Sequence, residues 1–262
     1  MIKRVCPFPI VYPFTAKTKL IIERGMTGAT GNVYAGLHEF EHMSFLLHFL
    51  RPEDLFADVG ANMGTYTILA SGQVGCKSFA FEPIPITFEK LKNNIAINGI
   101  TSRVAAINMG VGEQFTTLRF SSELDTINHV LTSGENVSSV EVTVETLDAI
   151  FHSEIPVLLK IDVEGFEMSV LRGAKNILGN SALSAIIIEL NTSGLKYGYT
   201  DQEIMDVLLL SGFQPYSYDP FQRKLSSGQY KGEGNMLFIR DTELANKRVL
   251  DSEAFSVLDL SI

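Results

Sequence analysis

Apolar residues come in short runs along this chain, and the spacing within a run changes from one segment to the next. Phe40, Met43, Leu46, Leu47 and Leu50 recur at helical spacing, so residues 38–50 are expected to form a helix with one buried stripe. Arg51-Pro52 ends it, because the residue before a proline is biased away from helix. Beyond it, runs with little charge between their ends read as strands at 54–59, 78–82, 103–108, 156–162 and 184–190. Helical patterns fall between and after them at 65–71, 86–97, 166–178 and 201–211. Such alternation implies a parallel sheet covered by helices on both faces.

Three regions depart from the alternation. Residues 115–120 and 137–144 look like an inserted antiparallel pair, and the polar stretch 121–136 between them suits a loop bordering a site. Residues 213–218 and 235–240 read as a closing hairpin, after which the tail is weakly patterned. Near the start, 19–23 reads as a short strand, and Gly25, Gly28, Gly31 and Gly36 punctuate the loops after it. The organisation expected is an extension over 1–50 (a strand and a helix covering the site), a main domain over 51–242, and a tail over 243–262.

Composition narrows the class. A chain of 262 residues with 45% hydrophobic content suits one folded domain with a sizeable core. A net charge of −9 with no long basic run argues against a nucleic-acid partner, since phosphate binding needs clustered Lys and Arg. Cys6 and Cys76 lack C-x-x-C spacing and are expected as free thiols in a reducing compartment. The opening MIKRVCPFPIVYPF faintly suggests a signal peptide, but Pro7, Pro9 and Pro13 break its apolar part. No apolar stretch approaches the roughly 18 residues that span a bilayer. No membrane contact and a cytoplasmic location are therefore expected.

Candidate chemistry concentrates after the first long strand. It ends in Asp58-Val59-Gly60-Ala61-Asn62-Met63-Gly64, where Gly60 and Gly64 permit a tight turn and close backbone approach, and a helix opens at Thr65. The next strand delivers Glu82 about 24 residues beyond Asp58, near the spacing at which an acid meets ribose hydroxyls. A dinucleotide site wants G-x-G-x-x-G, whereas an acid at the strand end repels a pyrophosphate and favours a cationic sulfonium or ammonium. An ordinary glycine turn in a βα unit is the plainer alternative.

The loop resembles the D-x-G-x-G-x-G motif of S-adenosyl-L-methionine-dependent methyltransferases, with Asn62 in place of the middle glycine. Glu82-Pro83-x-Pro85 followed by Leu91 and Asn94 narrows the resemblance, as do Lys160-Ile161-Asp162-Val163-Glu164-Gly165-x-Glu167, Val170-Leu171-x-Gly173-Ala174 and Ile188-Glu189-Leu190. Together, across residues 30–240, they are similar to the FkbM-type methyltransferases. The resemblance implies an α/β fold: a class I methyltransferase, Rossmann-like three-layer sandwich with a mostly parallel seven-stranded sheet and a C-terminal antiparallel hairpin. It also implies S-adenosyl-L-methionine as cofactor and methyl transfer, usually to oxygen. It does not name the acceptor.

On that resemblance, Asp58 serves the methionine end of the cofactor, with capping of the following turn as its alternative. Gly60, Ala61 and Asn62 line the same end with backbone groups, and Gly64 lets the helix approach. Tyr66 and Thr67 begin that helix, Tyr66 either binding or packing. Glu82 takes the ribose, Pro83 turns the chain, and Ile84 faces adenine. Gly110-Val111-Gly112 falls beside adenine or forms a surface turn. Asp162 and Glu164 emerge at the carboxyl edge of the sheet, where α/β ligands bind, and Glu189 shares that placement. Asp162 touches the cofactor or orients the acceptor, while Glu164 equally suits a helix cap before Phe166. His129, in the polar loop, is the first choice for a general base; His152 looks like a surface residue. The expected reaction is methyl transfer to a hydroxyl of a sugar or secondary metabolite, a small-molecule or glycan acceptor, with no metal. Methylation of a carboxylate or nitrogen, and cofactor binding without transfer, stay open.

One motif competes. His38-Glu39-Phe40-Glu41-His42 matches H-E-x-x-H, with His48 where an extended zinc-protease motif places its third ligand. Phe45, however, stands where that motif needs a turning glycine, so the helix continues and His48 lies about 120° round from His42. The other reading sets these His and Glu side chains on a wet face opposite the apolar stripe.

Overall fold

The computed structural model describes residues 8–23, 26–122, 128–132, 134–135, 137–230, 234–257 and 260–262, with the backbone alone at 27–30 and 260. Cys6, Gly25 and part of the 121–136 loop lie outside the described residues. In chain order, β1 (Ile10–Pro13) and β2 (Lys19–Ile22) form an antiparallel hairpin, followed by α1 (Thr27–Ala35) and α2 (Phe40–Phe49). The alternating core then runs through β3 (Leu55–Val59), α3 (Thr65–Thr67, continuing as a π-helical stretch Ile68–Val74), β4 (Lys77–Phe81), α4 (Pro85–Ile97) and β5 (Val104–Ile107). The inserted strands β6 (Gly110–Val111), β7 (Thr116–Ser121) and β8 (Ser139–Glu145) make a small separate sheet and lead to α5 (Leu147–Ile150). Then come β9 (Leu158–Ile161), α6 (Glu167–Arg172), α7 (Lys175–Gly179), β10 (Ala185–Glu189), a 3₁₀ turn at Ser193–Tyr197 and α8 (Asp201–Leu210). The last elements are β11 (Gln214–Asp219), β12 (Lys224–Ser227), β13 (Asn235–Ile239), α9 (Thr242–Leu250), and the short pair β14 (Ser256–Val257) and β15 (Leu260–Ser261).

The main sheet has the order β12-β11-β13-β10-β9-β3-β4-β5, parallel from β10 to β5 and antiparallel beyond β10. Chain order reverses at β3, which lies between β4 and β9, and open α/β sheets bind ligands in the crevice beyond such a point. The nearly uncharged strands are buried on both faces. Along β10, Ile187 faces one core with Phe45, Leu46, Phe49 and Leu91, while Ile186 and Ile188 face the other with Val170, Leu171, Leu208 and Phe213. Period-two alternation thus feeds two helical layers, completing the three-layer sandwich.

Four expectations are corrected. The sheet has eight strands, not seven, because the polar strand β12 pairs on the outer edge of β11, where mostly exposed residues carry no apolar signal. Residues 27–35 are helical despite Gly28 and Gly31; a Cβ on Gly31 would lie 2.5 Å from the His38 ring, so this glycine serves close packing. The expected helix over 166–178 divides at Gly173, where a Cβ would stand 2.0 Å from the Gly112 carbonyl oxygen. The tail is ordered as α9, N-capped by Asp241 through the Leu244 amide.

The extension and tail also share the main core: Phe14, Leu20, Phe255 and Ile262 join the same apolar cluster as Phe56 and Leu158. Arg248 grips Asp54 at 2.5 and 3.1 Å, tying α9 to the start of β3. Burial pushes the Cys76 thiol up to about 12. Among the described residues, no helix is long and apolar enough to cross a membrane.

Candidate active site

The crevice at the β3 switch point opens into a cavity of about 470 Å³. Its first wall is the turn after β3. Gly60 takes φ +81°, and a Cβ there would sit 1.8 Å from the Asp162 carbonyl oxygen, so only glycine lets this turn meet the exit of β9. The Gly60 and Ala61 amides donate to the Phe81 carbonyl at 3.1 and 2.9 Å. Asn62, at φ 51°, is left-handed as well, and its Oδ1 accepts the Met63 amide at 2.7 Å. Asparagine tolerates this conformation because its short amide bonds locally, which accounts for its standing where the motif has glycine. Gly64 begins α3 at φ +92° with Leu91 packed against it.

Asp58 lines the cavity while its Oδ2 accepts the Thr67 amide at 3.1 Å and hydroxyl at 2.6 Å. Both readings of this acid therefore hold in part: it caps the turn and faces the crevice. Burial pushes its carboxyl up to about 6, with Lys160 and the Thr67 bonds pulling the other way. Thr67 is fully buried as the cap partner and does not line the cavity, whereas Tyr66 does.

Glu82 forms the second wall. One oxygen accepts the Asn62 amide at 3.0 Å and the other the Ile84 amide at 2.9 Å. Burial raises its carboxyl to about 7 against those two bonds. Pro83, Ile84, Gly110 and Val111 line the cavity beside it, and the Asn108 amide secures the turn by donating to the Glu82 and Pro83 carbonyls.

The far end is acidic. Lys160 stands mid-strand in β9, only 3% exposed, with its Nζ 2.6 Å from Asp162 and 4.7 Å from the centre of the Tyr66 ring. Burial disfavours its charge, yet Asp162, Glu39 and Asp58 more than offset this and hold the ammonium above the ordinary lysine range. Asp162, Glu164 and Glu189 each present a carboxylate oxygen within 4.8 Å of the others. Burial first, then the Asp162 charge, raises Glu164 to about 7 and Glu189 to about 9. Glu189 Oε2 is buried without a protein partner. Glu164 does not cap the next helix. The chain turns at Glu164 and Gly165, both at positive φ, and Glu167 accepts the Val163 and Gly165 amides instead.

The H-E-x-x-H stretch makes no zinc site. α2 begins at Phe40, so His38 lies before the helix and lines the cavity, whereas His48 is fully buried with Nδ1 2.6 Å from the Tyr218 hydroxyl. Burial lowers His48 to about 4. The expected wet face is mostly inside: Glu41 accepts the Tyr218 amide, and Glu39 accepts the Tyr66 hydroxyl and the Asn235 amide. Glu39 thus reaches the cavity wall, a role the sequence reading did not assign. His129 sits elsewhere: its Nε2 is 2.9 Å from Glu135, and Asn128, not His129, contributes to the cavity wall. His152 is exposed, as expected. Lys160 was quoted in a motif without a role, although a lysine inside an apolar strand is itself a signal that a buried charge has a partner.

A family model described as the methyltransferase FkbM domain matches residues 58–215, from the acid at the end of β3 into β11. The chain belongs to the FkbM methyltransferase family. Its similarity to the hexuronic acid methyltransferase AglP of Haloferax volcanii is 28% identity over 160 residues, covering 58% of this chain and 62% of that protein. Methyltransferase 1 of Beauveria bassiana is 32% identical over 149 residues, covering 47% of this chain and 59% of the relative. The chain thus spans about three fifths of these relatives' length. Among solved structures, the methyltransferase FkbM of Methylobacillus flagellatus superposes with a TM-score of 0.52 at 17% identity, over 81% of this chain and 53% of that one. This FkbM-family chain accordingly has the class I methyltransferase fold.

Proposed function

We propose that this chain transfers the methyl group of S-adenosyl-L-methionine to a hydroxyl oxygen of a sugar or other small polyhydroxy metabolite. The observation that carries this reading is one cavity running from the Glu82 carboxylate past Asp58 to Asp162. The residues present fit the cofactor. Glu82 accepts one amide at each oxygen, which leaves acceptor capacity at both for a pair of ribose hydroxyls. Ile84 and Val111 offer an apolar wall for a base, and the acids Asp58 and Asp162 suit a cationic centre. When bound, the cofactor supplies a sulfonium methyl, an electrophile whose departure leaves a neutral thioether.

The chain's own part is to hold, align and deprotonate. An alcohol is a poor nucleophile until its proton leaves, and Asp162 is the carboxylate placed to take it. Lys160 holds Asp162 Oδ2, so Oδ1 is the proton acceptor. Met26, Met43 and Phe166 narrow the cavity and exclude water, which strengthens the charge interactions inside. Alignment supplies much of the acceleration in such a displacement. The similarity to a hexuronic acid methyltransferase supports a sugar acceptor.

Isotopically labelled S-adenosyl-L-methionine, offered with a panel of sugars and polyols, tests the reaction by which product gains the label. Asp162→Asn is expected to lower turnover by roughly 10²–10⁴-fold, and His129→Ala to leave it within about threefold. Near-parent turnover in Asp162→Asn removes that acid as base, and saturable NAD binding in the crevice overturns the cofactor reading.

A further inference from the structure

The acceptor end of the cavity has an unusual charge balance. Glu39, Asp162, Glu164 and Glu189 line it, and Lys160 is the one Lys or Arg among the described lining residues. That ammonium is already engaged by Asp162 and the Tyr66 ring. The remaining lining acids, Asp58 and Glu82, belong to the cofactor end. A bound S-adenosyl-L-methionine carries one net positive charge, so several carboxylates stay unbalanced even with the cofactor in place. Glu189 Oε2 adds an independent observation: it is buried and takes no hydrogen bond from the protein. Buried polar atoms are nearly always satisfied, so this oxygen calls for a donor supplied from outside the chain.

We propose, resting on the methyl-transfer reading above, that the acceptor is a hydroxyl compound carrying a protonated amine, such as an amino sugar, and that Glu164 and Glu189 bind its ammonium. An ammonium offers three donors and no acceptor, matching a wall made of acceptors. Its charge is balanced there at short range in a partly desolvated site, where Coulomb attraction is several times stronger than in water. A carboxylate-bearing sugar faces the reverse: it loses hydration and meets like charge, with no second ammonium to receive it. The specificity therefore differs from that named for the hexuronic acid relative. Proton traffic follows from the same geometry. Burial and crowding keep a proton on Glu189 near neutral pH, and an arriving ammonium takes over that balancing role, so binding releases protons.

The test uses the full chain saturated with S-adenosylhomocysteine and three matched probes: methyl glucosaminide, its N-acetyl derivative and methyl glucuronide. Calorimetric titration at pH 7.5, repeated in buffers of different ionisation enthalpy, reads affinity and proton release together. The glucosaminide is expected to bind at least tenfold tighter than the N-acetyl form, with proton release, and tighter still than the glucuronide. Glu164→Gln with Glu189→Gln should erase most of that preference while S-adenosylhomocysteine affinity holds. Equal binding of the three probes, binding of none, or a preference for the glucuronide overturns the proposal and leaves the methyl-transfer reading standing. Failure of S-adenosylhomocysteine itself to bind overturns both. A divalent cation on the three carboxylates is the rival occupant: magnesium that binds there and abolishes glucosaminide binding also overturns the proposal.

Discussion

The Glu82 carboxylate is braced by the Asn62 and Ile84 amides, so its oxygens hold position before any ligand arrives. A hydrogen bond to a charged acceptor contributes roughly 1.5–3 kcal/mol. Glu82→Ala is therefore expected to weaken S-adenosylhomocysteine binding by about ten- to a few hundredfold with the fold intact. The pH dependence has a definite sign. Because burial raises this carboxyl to about 7, it carries a proton below that value and accepts ribose hydroxyls less well. Affinity should fall as pH drops below 7, and Glu82→Gln should flatten that fall. Calorimetry of parent and variants between pH 6 and 8 checks both, and an unchanged Kd in Glu82→Ala removes the ribose role. Asp58 shows how one acid serves two demands, since its bonds to Thr67 fix α3 while its carboxyl still lines the cavity.

The turn after β3 and the exit of β9 meet closely because a glycine and a backbone carbonyl share the contact. A methyl group at position 60 has nowhere to go: φ is +81° and the Asp162 carbonyl oxygen would be 1.8 Å away. Left-handed backbone alone costs a non-glycine residue roughly 1–2 kcal/mol. The clash adds to that, so Gly60→Ala should lose at least about 3 kcal/mol of stability or fail to accumulate as folded protein. Urea unfolding of the variant, with the parent alongside, measures this. A loss under 1 kcal/mol would mean that the turn can move away from Asp162. α2 shows the opposite regime. Its position is set by burial on several sides, with Phe45, Leu46, Leu47 and Phe49 all fully buried, and Glu39 and Glu41 fasten it to α3, β11 and β13. Such a helix is a fixed wall of the cavity.

At the scale of the whole molecule, the cavity concentrates carboxyl groups whose charged forms are disfavoured by burial. Asp58 is raised to about 6, Glu82, Glu164 and Glu167 to about 7, and Glu189 to about 9. A carboxyl raised on folding binds more protons in the native state than in the unfolded chain, so its contribution to stability declines as pH rises through that window. The decline begins near pH 4.5 and extends to about 9. His48, lowered to about 4 by burial, acts the other way and favours folding as pH rises from 4 to 6.5. The carboxyl groups outnumber it. Denaturation midpoints should therefore fall from pH 6 to pH 8.5, and addition of S-adenosylhomocysteine should recover part of the loss. A midpoint that climbs across that range would contradict the burial of these acids.

The order of strands and helices from residue 54 to 211, the Asp58 turn and the Glu82 position were all legible in the sequence, because each rests on local rules. Apolar runs specify buried strands, glycines specify left-handed turns, and spacing along a βα unit specifies which acid meets the ribose. Family motifs extended this to Asp162 and Glu189. Tertiary structure decided the rest, because the remaining features are contacts between segments distant in sequence. Lys160 acquires its role only through Asp162, Tyr66 and Glu39. Glu39 changes from a protease-like base to a wall residue because Tyr66 and Asn235, 27 and 196 residues away, converge on it. His129 leaves the cavity because Glu135 takes its ring, and the 27–35 helix forms despite its glycines because close packing there needs their missing side chains. Periodicity reports which face of an element is buried, and the folded chain alone reports what that face is buried against.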